Sequence, residues 1–265
     1  MPQSEEIVDA EGAVRKLCQR IEELEPVMHG QIAEIQPSSL LWIDDLAVDP
    51  LRMSSAAVRS VVSAIDHLHT LRVVLSQVGM PVVSGFTLMR GAFEASAAAV
   101  WLLEPHNADE RHLRLLQDAW TDFADANTLI ATEGQISESV AVRENNLTTA
   151  TASAGIALKN AREKTSTSEK LKAIEQFVSA ELGRDADQSS MLKIWRVLSG
   201  AAHARDHIFE LYLRSERVGD IQDDGTQTTK FSQHPMLFAG VLALVVSLTE
   251  IAVELYETLA VSEPG

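Results

Sequence analysis

Apolar residues recur at three- and four-residue steps along most of this chain, which is the pattern of amphipathic helices. The first segment with this period covers residues 5–25, and Pro26 ends it or kinks it. Residues 26–53 carry a glycine and prolines around a short apolar cluster and show no period, which predicts an irregular connection. We therefore expect residues 1–53 to form an irregular N-terminal arm plus a helix.

Three long helices are predicted in succession after this arm. The first begins at a serine cap at residue 54 or 55 and stops at Gly79. The second lies between Pro81 and Pro105, and small residues along it allow close helix contact. The third covers residues 108–132 and begins with an acidic first turn, which favours a helix N-terminus.

The helical pattern weakens between residues 136 and 165, where Asn, Thr and Ala replace the regular apolar positions. Such residues either interrupt a helix or occur in a helix of low stability, so this segment is predicted to be a kink or a mobile loop. Ser166 and Glu169 then have the spacing of a capping box, which predicts a short helix that ends at Gly183.

Two more helices are predicted near the C-terminus, with a polar segment between them. A serine cap at residue 189 or 190 begins a helix that continues to Gly219. Residues 219–233 contain an Asp-Gly pair between alternating residues, which predicts a short hairpin or a disordered loop. The last helix begins at Pro235 and runs to about Ala260.

These periods predict an all-α fold, a bundle of about seven helices with the hairpin or loop near residues 219–233. Composition agrees, because 46% of the residues are hydrophobic, only 5% are aromatic, and Ala, Leu and Val are abundant. The sequence has no repeat or linker-like tract. Residues 1–265 are therefore predicted to form a single helical domain, with residues 54–265 as its main bundle.

The chain is acidic, with 22 Lys and Arg against 38 Asp and Glu and a formal net charge of −16. This charge repels polyanions at long range and disfavours general nucleic-acid binding, although cations that cluster in three dimensions still make a local basic strip. The sequence has no phosphate-binding loop, dinucleotide fingerprint, nucleophile elbow or cysteine-based zinc pattern. The usual nucleotide-dependent, hydrolase and zinc-finger classes are therefore excluded.

Several features predict a cytoplasmic protein that does not associate with a membrane. Cys18 is the only cysteine, so no intrachain disulfide forms. The acidic N-terminal residues lack the basic segment and apolar core of an export signal. The longest apolar run, Met236–Leu248, has 13 residues, fewer than the ~20 needed to cross a bilayer, and it is predicted to be a buried core helix.

One stretch, WRVLSGAAHARDHIFE at residues 195–210, concentrates side chains that are able to do chemistry. Positions that return to one face of a helix share a stripe, and the polar members of this stripe are Arg196, Ser199, His203, His207 and Glu210. Gly200 lies on it as well and leaves room for a substrate or another backbone. An arginine orients a phosphate and a histidine transfers a proton, which are the groups that metal-free RNA cleavage needs.

Within this stretch, RVLSGAAH places six residues between Arg196 and His203. The segment resembles the HEPN superfamily, all-helical domains whose signature is an arginine followed four to six residues later by a histidine. It is also similar to a YRxLSxxxH pattern of helical bacterial proteins of HEPN kinship, with Trp195 at the aromatic position, whereas Val197 replaces a residue that is usually polar in the nucleases.

The resemblance implies that Arg196 and His203 are the catalytic pair of an endoribonuclease of toxin or defence type, which uses no metal or cofactor. It also implies an active site completed across a homodimer, RNA as the substrate and an antitoxin as a partner. Ser199 and His207, on the same stripe, are predicted to bind the substrate.

Other interpretations of the stripe stay open. A helix-bundle metal site would use the His-x3-His pair with a carboxylate, namely His203, His207 and Glu210, and a further histidine at residue 67 or 69. In this metal-site interpretation Arg205 and Asp206 are expected to point elsewhere. A third interpretation is a helix that simply packs, in a non-catalytic interaction module or small-ligand-binding module.

Two weaker signals were weighed against ordinary structural roles. Arg90 and Glu94 lie four residues apart, which predicts a same-helix salt bridge or a contribution to a polar pocket beside the candidate helix. The charges of the DERHLR segment, residues 109–114, are those of a solvent-exposed first turn of a helix. No chemistry is predicted at residues 109–114.

Overall fold

A computed structural model describes residues 2–132, 138–183 and 190–263. The chain is 73% helical, which confirms the predicted predominance of helix. The described residues form a 3-10 helix (Glu25–His29), two short strands and eleven α-helices: α1 (Pro2–Leu24), α2 (Leu40–Ala47), α3 (Met53–Val78), α4 (Ser84–Leu103), α5 (Ala108–Thr132), α6 (Glu138–Ser153), α7 (Leu158–Ala161), α8 (Thr167–Glu181), α9 (Met191–Ala202), α10 (Asp206–Leu211) and α11 (Pro235–Val261).

The predicted number of about seven helices is too low because segments without a clear apolar period are also helical. α2 lies inside the arm that was predicted to be irregular, where the Ser39 side chain accepts a hydrogen bond from the backbone N–H of Trp42 at 3.3 Å. α6 and α7 lie in the segment predicted to be a kink or loop. The long helices α3, α4, α5 and α11 begin and end close to the predicted residues.

The prediction of a helix that continues to Gly219 is wrong, because α9 ends at Ala202. Ala204 has a φ of 49°, in the left-handed region that commonly terminates helices. The N–H of Arg205 bonds to the carbonyl of Gly200 at 2.9 Å, and the N–H of Ala204 bonds to that of Ala201 at 3.1 Å. This is the Schellman pattern, in which two orphan carbonyls of the last turn are satisfied, and α10 begins as a separate helix beyond it.

The two strands form an antiparallel hairpin, β1 (Leu213–Val218) and β2 (Thr228–Gln233), with Leu213 opposite Gln233. The hairpin prediction is confirmed for β2 only, because β1 occupies residues predicted to be helical. In the connecting loop the Asp224 carboxylate accepts hydrogen bonds from the N–H and hydroxyl of Thr226, and these bonds lower the pKa of Asp224. The Gln233 Nε2 donates to the carbonyl of Pro81 at 2.7 Å, which attaches the hairpin to the segment before α4.

The chain divides into two compact units. The first unit contains Met1–Gln31, Val62–Ser96 and Leu182–Glu250. Its buried apolar side chains recur at helical spacing along α1, α3 and α4, and they include Val14, Leu17, Ile21, Ile65, Leu68, Leu71, Phe86, Met89 and Phe93. A buried pair of hydroxyls, Ser96 and Thr249, is joined by a hydrogen bond of 2.8 Å.

An ion cluster in the first unit joins the end of α1 to α3. The Glu25 carboxylate accepts hydrogen bonds from Arg72 Nε at 2.6 Å, from Arg72 Nη2 at 3.0 Å and from His69 Nδ1 at 2.8 Å. Burial acts to raise the pKa of Glu25, but the bonds from His69 and Arg72 outweigh it, and the pKa is lowered.

The lowered pKa of Glu25 predicts how the free energy of unfolding changes as the pH falls. A carboxylate with a depressed pKa stabilises the folded state above the unfolded pKa of about 4.3, and that contribution is lost as the pH falls through the folded pKa. Glu25→Gln is expected to unfold at a lower urea concentration at about pH 6 and to lose less of its stability on acidification than the wild type. Equal losses in the two proteins between about pH 6 and pH 3 would contradict the prediction.

The second unit contains Ile32–Val61, Ala97–Glu181 and Ile251–Gly265. One apolar cluster includes Leu41, Met53, Leu103 and Leu259, and another is built around Trp120 and Phe123, whose rings meet edge to face at 5.6 Å. The prediction that the first turn of α5 is exposed to solvent is wrong, because Arg111 and His112 are buried. Both contact the buried carboxylate of Asp44 in α2, which supplies the counter-charge that lets them leave water.

α11 contributes buried side chains to the interior, as its apolar run predicts. The helix extends beyond that run at both ends. By length and composition alone, it is the one helix among the described residues that could cross a membrane, and 67% of its most apolar segment is buried inside the structure. The core helix of a soluble protein passes the same test.

Candidate functional site

The candidate residues of the 195–210 segment come together in the first unit, although they do not share one helix. Arg196 lies in α9, His203 follows the last residue of α9, and His207 lies in the first turn of α10. Ser190 caps α9 by accepting a hydrogen bond from the N–H of Lys193 at 3.3 Å. A continuous helix was predicted to place His203 and His207 on the same side as Arg196. The turn at Ala204 produces this arrangement instead.

These residues surround a solvent-open cavity of about 270 Å³. Its lining comes from α9, the turn after it and α10, and consists of Trp195, Arg196, Ser199, Gly200, His203, Arg205 and His207. Arg196, His203 and His207 are all exposed. Four of the predicted site residues thus lie around one cavity: both members of the catalytic pair and both substrate-binding residues.

Gly200 forms the closest approach between α9 and α10. A Cβ atom at this position would lie 2.8 Å from Ile208 Cγ1 and 3.0 Å from His207 Nε2. Only glycine therefore lets α10 pack this closely on α9 and brings His207 over the helix. The room that Gly200 was predicted to leave is occupied by two side chains of α10, Ile208 and His207.

A second layer of polar residues from α4 lies behind His203. The Glu94 Oε1 accepts hydrogen bonds from Arg90 Nε at 2.8 Å and from Trp195 Nε1 at 2.6 Å. Arg90 Nη1 then lies 3.3 Å from His203 Nε2. Both predictions for Arg90 and Glu94 hold together, because the pair is a same-helix salt bridge and also contacts the candidate site.

This contact defines the hydrogen-bonding role of one ring nitrogen of His203. A guanidinium has donors and no acceptor, so Arg90 donates and His203 Nε2 accepts. Arg90 and Glu94 together fix where the ring of His203 lies.

The cavity is cationic on an acidic protein. Arg196 and Arg205 line it and form no ion pair with any residue that the structure describes. The described lining residues include no carboxylate, whereas the whole chain carries a net charge of −16. Arg205 was expected to point away from a metal site, but it lines this cavity.

The metal interpretation finds no support in the geometry. Over the described ranges, no three His, Cys, Asp or Glu side chains are placed to hold a metal ion, and this includes His203, His207 and Glu210. His69 is paired with Glu25. His67 bonds through Nδ1 to the Ser63 carbonyl at 2.7 Å, and its ring packs on Gly91.

Two features of the site were not predictable from the sequence. The spacing of Arg90 and Glu94 predicted a same-helix salt bridge or a polar pocket beside the candidate helix, but it did not identify Trp195 and His203 as the residues that they contact. Arg205 was missed because its position follows from the left-handed turn at Ala204.

The chain matches no model of a known protein family, and it shows no significant similarity to a curated protein or to a solved structure. The HEPN resemblance therefore stays a prediction, based on the spacing of Arg196 and His203. The functional argument below depends on the geometry of the cavity.

Proposed function

We propose that this protein is a metal-independent ribonuclease of the HEPN type, with Arg196 and His203 as its catalytic pair. The observation that carries the proposal is the cationic cavity, where Arg196, Arg205, His203 and His207 converge without a lining carboxylate among the described residues. Such a cavity attracts an anion that the rest of the acidic surface repels. It also presents histidines to that anion, which separates it from a simple anion-binding site.

The chemistry starts with the phosphodiester. A guanidinium forms two parallel hydrogen bonds to a phosphate, which holds the group and stabilises charge that develops on its oxygens. Arg196, exposed and without a partner among the described residues, is free to take this role. Arg205, which lies between the two histidines in sequence, adds a second positive charge.

His203 supplies the base. Its ring takes the proton of the RNA 2′-hydroxyl, the 2′-oxygen bonds to phosphorus, and the bond from phosphorus to the 5′-oxygen breaks. The leaving 5′-oxygen takes a proton from His207 or from water. The products are a 2′,3′-cyclic phosphate and a 5′-hydroxyl, and no metal or redox partner enters the balance.

This mechanism gives a reason for Arg90. Arg90 donates to His203 Nε2, so a bound phosphate that attracts the guanidinium also frees the lone pair of the base. Glu94 keeps Arg90 within reach of both His203 and a bound phosphate. The Glu94 carboxylate binds Arg90 Nε and leaves Nη1 to contact the ring of His203. Trp195 fixes Glu94 from the α9 side.

The requirement for a 2′-hydroxyl defines the substrate. DNA lacks the attacking group, so it should bind and stay intact. Single-stranded RNA is expected to fit better than a duplex, because a protein with a net charge of −16 opposes close contact with two phosphate backbones. Cleavage is therefore expected to require single-stranded RNA and to weaken as salt screens the cavity.

The test is cleavage of end-labelled single-stranded RNA by the purified protein in the presence of a chelator. Arg196→Ala is expected to lower the cleavage rate by about 10²–10³-fold, because it removes a charged donor from the developing oxyanion. The products should carry a cyclic phosphate, and Arg15→Ala, which removes an exposed arginine elsewhere, should cleave like the wild type.

Two outcomes would contradict the proposal. Wild-type protein that binds RNA but leaves it intact in a set of varied sequences would favour the non-catalytic binding module. Cleavage that survives Arg196→Ala at the wild-type rate would place the chemistry elsewhere or in a contaminant.

A further inference from the structure

The second unit has a cavity of its own, of about 370 Å³. It lies among the first turns of α3, the last turns of α4, and helices α5 and α6. Its apolar wall includes Leu102, Leu115 and Leu147, each only 4% exposed. Cavities between bundle helices with an apolar wall and a few polar groups are common ligand sites.

Four charged side chains stand around this cavity, and three of them are already paired. Asp122 accepts a hydrogen bond from Arg143 Nη2 at 2.7 Å, and Asp118 is bridged by Lys170. Arg59 is the fourth, and it pairs with no described carboxylate.

Arg59 differs in this respect from the other arginines of the second unit. The remaining five all bond to Asp or Glu side chains, and they are Arg52, Arg111, Arg114, Arg143 and Arg162. Acidic residues outnumber basic ones across the chain, so partners are plentiful. An exposed arginine without a carboxylate, beside a cavity that is lined by leucines and by polar side chains, is an arrangement that a bound anion would complete.

We propose that this cavity binds a small organic carboxylate with an apolar body. The body lies on the leucine wall, and the carboxylate forms a bidentate pair with Arg59. Ser60 and Asn146 also line the cavity and offer a hydroxyl and an amide for further hydrogen bonds. A single negative charge fits best, because one guanidinium is unpaired and the aspartates on the rim repel a dianion.

The experiment measures binding of matched probes to the full chain by ligand-observed NMR. Phenylacetate and hexanoate are the carboxylates, 2-phenylethanol and hexanol are the neutral counterparts, and phenyl phosphate is the dianion. Each carboxylate is expected to bind at least about tenfold more tightly than its alcohol. Phenyl phosphate should bind more weakly than phenylacetate.

Two variants locate the site. Arg59→Gln is expected to remove the tenfold preference for the carboxylate, whereas Arg52→Gln, which changes an exposed arginine outside the cavity, should keep it. Ala119→Leu places a larger side chain in the lining and should abolish binding of acid and alcohol alike. Thermal unfolding of each variant confirms that it is folded.

Any of three results would overturn the inference. Neither carboxylate binds at millimolar concentration, the alcohols bind as tightly as the acids, or Arg59→Gln leaves the preference unchanged. The inference does not depend on RNA cleavage, since no residue of the candidate active site enters it.

Discussion

Replacement of Asp44 by alanine is expected to lower the free energy of unfolding by about 3–5 kcal/mol. The Asp44 carboxylate is fully buried and accepts hydrogen bonds from Arg111 Nε at 2.7 Å, from Arg111 Nη2 at 3.0 Å and from His112 Nε2 at 2.8 Å. Without it, the guanidinium of Arg111, which is 2% exposed, stays in the interior without its counter-charge. A buried charge left without a counter-charge destabilises the folded state more than the loss of an ordinary hydrogen bond, which contributes about 1 kcal/mol.

The remaining contacts of Arg111 do not remove this cost. Its Nη1 donates to the carbonyls of Pro105 and His106 at 2.7 and 3.2 Å, and these neutral acceptors satisfy two donors without neutralising the charge. The protein can respond only by letting water reach α2 and the start of α5, which gives up apolar packing there. The expected loss is therefore one of the largest that a single substitution produces.

Urea unfolding followed by circular dichroism measures this effect. Asp49→Ala is the matched control, because Asp49 is exposed and pairs with Arg52 at the surface, and it should change stability by no more than about 0.5 kcal/mol. Asp44→Leu combined with Arg111→Met should recover much of the loss, since an apolar pair needs no counter-charge. A change below about 1 kcal/mol in Asp44→Ala would mean that water already reaches the pair.

The same network shows why the sequence predicted the helix at 108–132 but not its environment. The acidic first turn and the apolar period are local signals, and both indicate where α5 begins. Whether Arg111 and His112 face water depends on Asp44, which is 67 residues away from Arg111. Charged residues normally indicate an exposed surface, and only the folded structure shows that a carboxylate from α2 meets these two.

The end of α9 shows a different limit of sequence prediction. Glycine is the usual signal for a left-handed residue that stops a helix, and here Ala204 occupies that position with a φ of 49°. The apolar period also continues through Ile208 and Leu211, so the pattern predicts one long helix. β1 was missed for a related reason, because a strand with the sequence LRSERV is defined by its pairing with β2 and not by its own composition.

The candidate site was predictable as a list of residues and not as an arrangement. The spacing of Arg196 and His203 identified side chains that do line one cavity, together with Ser199 and His207. The reason given for their proximity, a single helical stripe, was wrong, since the Schellman turn and the close packing at Gly200 bring them together. The sequence predicted that Arg90 and Glu94 contribute to a polar pocket beside the candidate helix, but it did not identify His203 as the residue that Arg90 contacts. This contact explains how the ring of His203 is held.

Substitution of His203 by alanine is expected to lower kcat for RNA cleavage by about 10²–10⁴-fold, the contribution of a positioned general base. Arg90 donates to the Nε2 of this ring, so the lone pair becomes available to take the 2′-hydroxyl proton when a bound phosphate draws the guanidinium away. Single-turnover cleavage in chelator measures the loss. His106→Ala removes an exposed histidine side chain of the second unit and should cleave at the wild-type rate.

Two further measurements separate the base from a merely structural histidine. Added imidazole should restore part of the activity of His203→Ala, because the deletion leaves space for a diffusible base, and it should do nothing for Arg196→Ala. Glu94→Gln should lower kcat by roughly tenfold with KM nearly unchanged, because it loosens Arg90 and the ring that Arg90 orients without touching the phosphate. If His203→Ala cleaves at the wild-type rate, the imidazole of His203 only packs beside Arg90, and the cationic cavity binds an anion without transforming it.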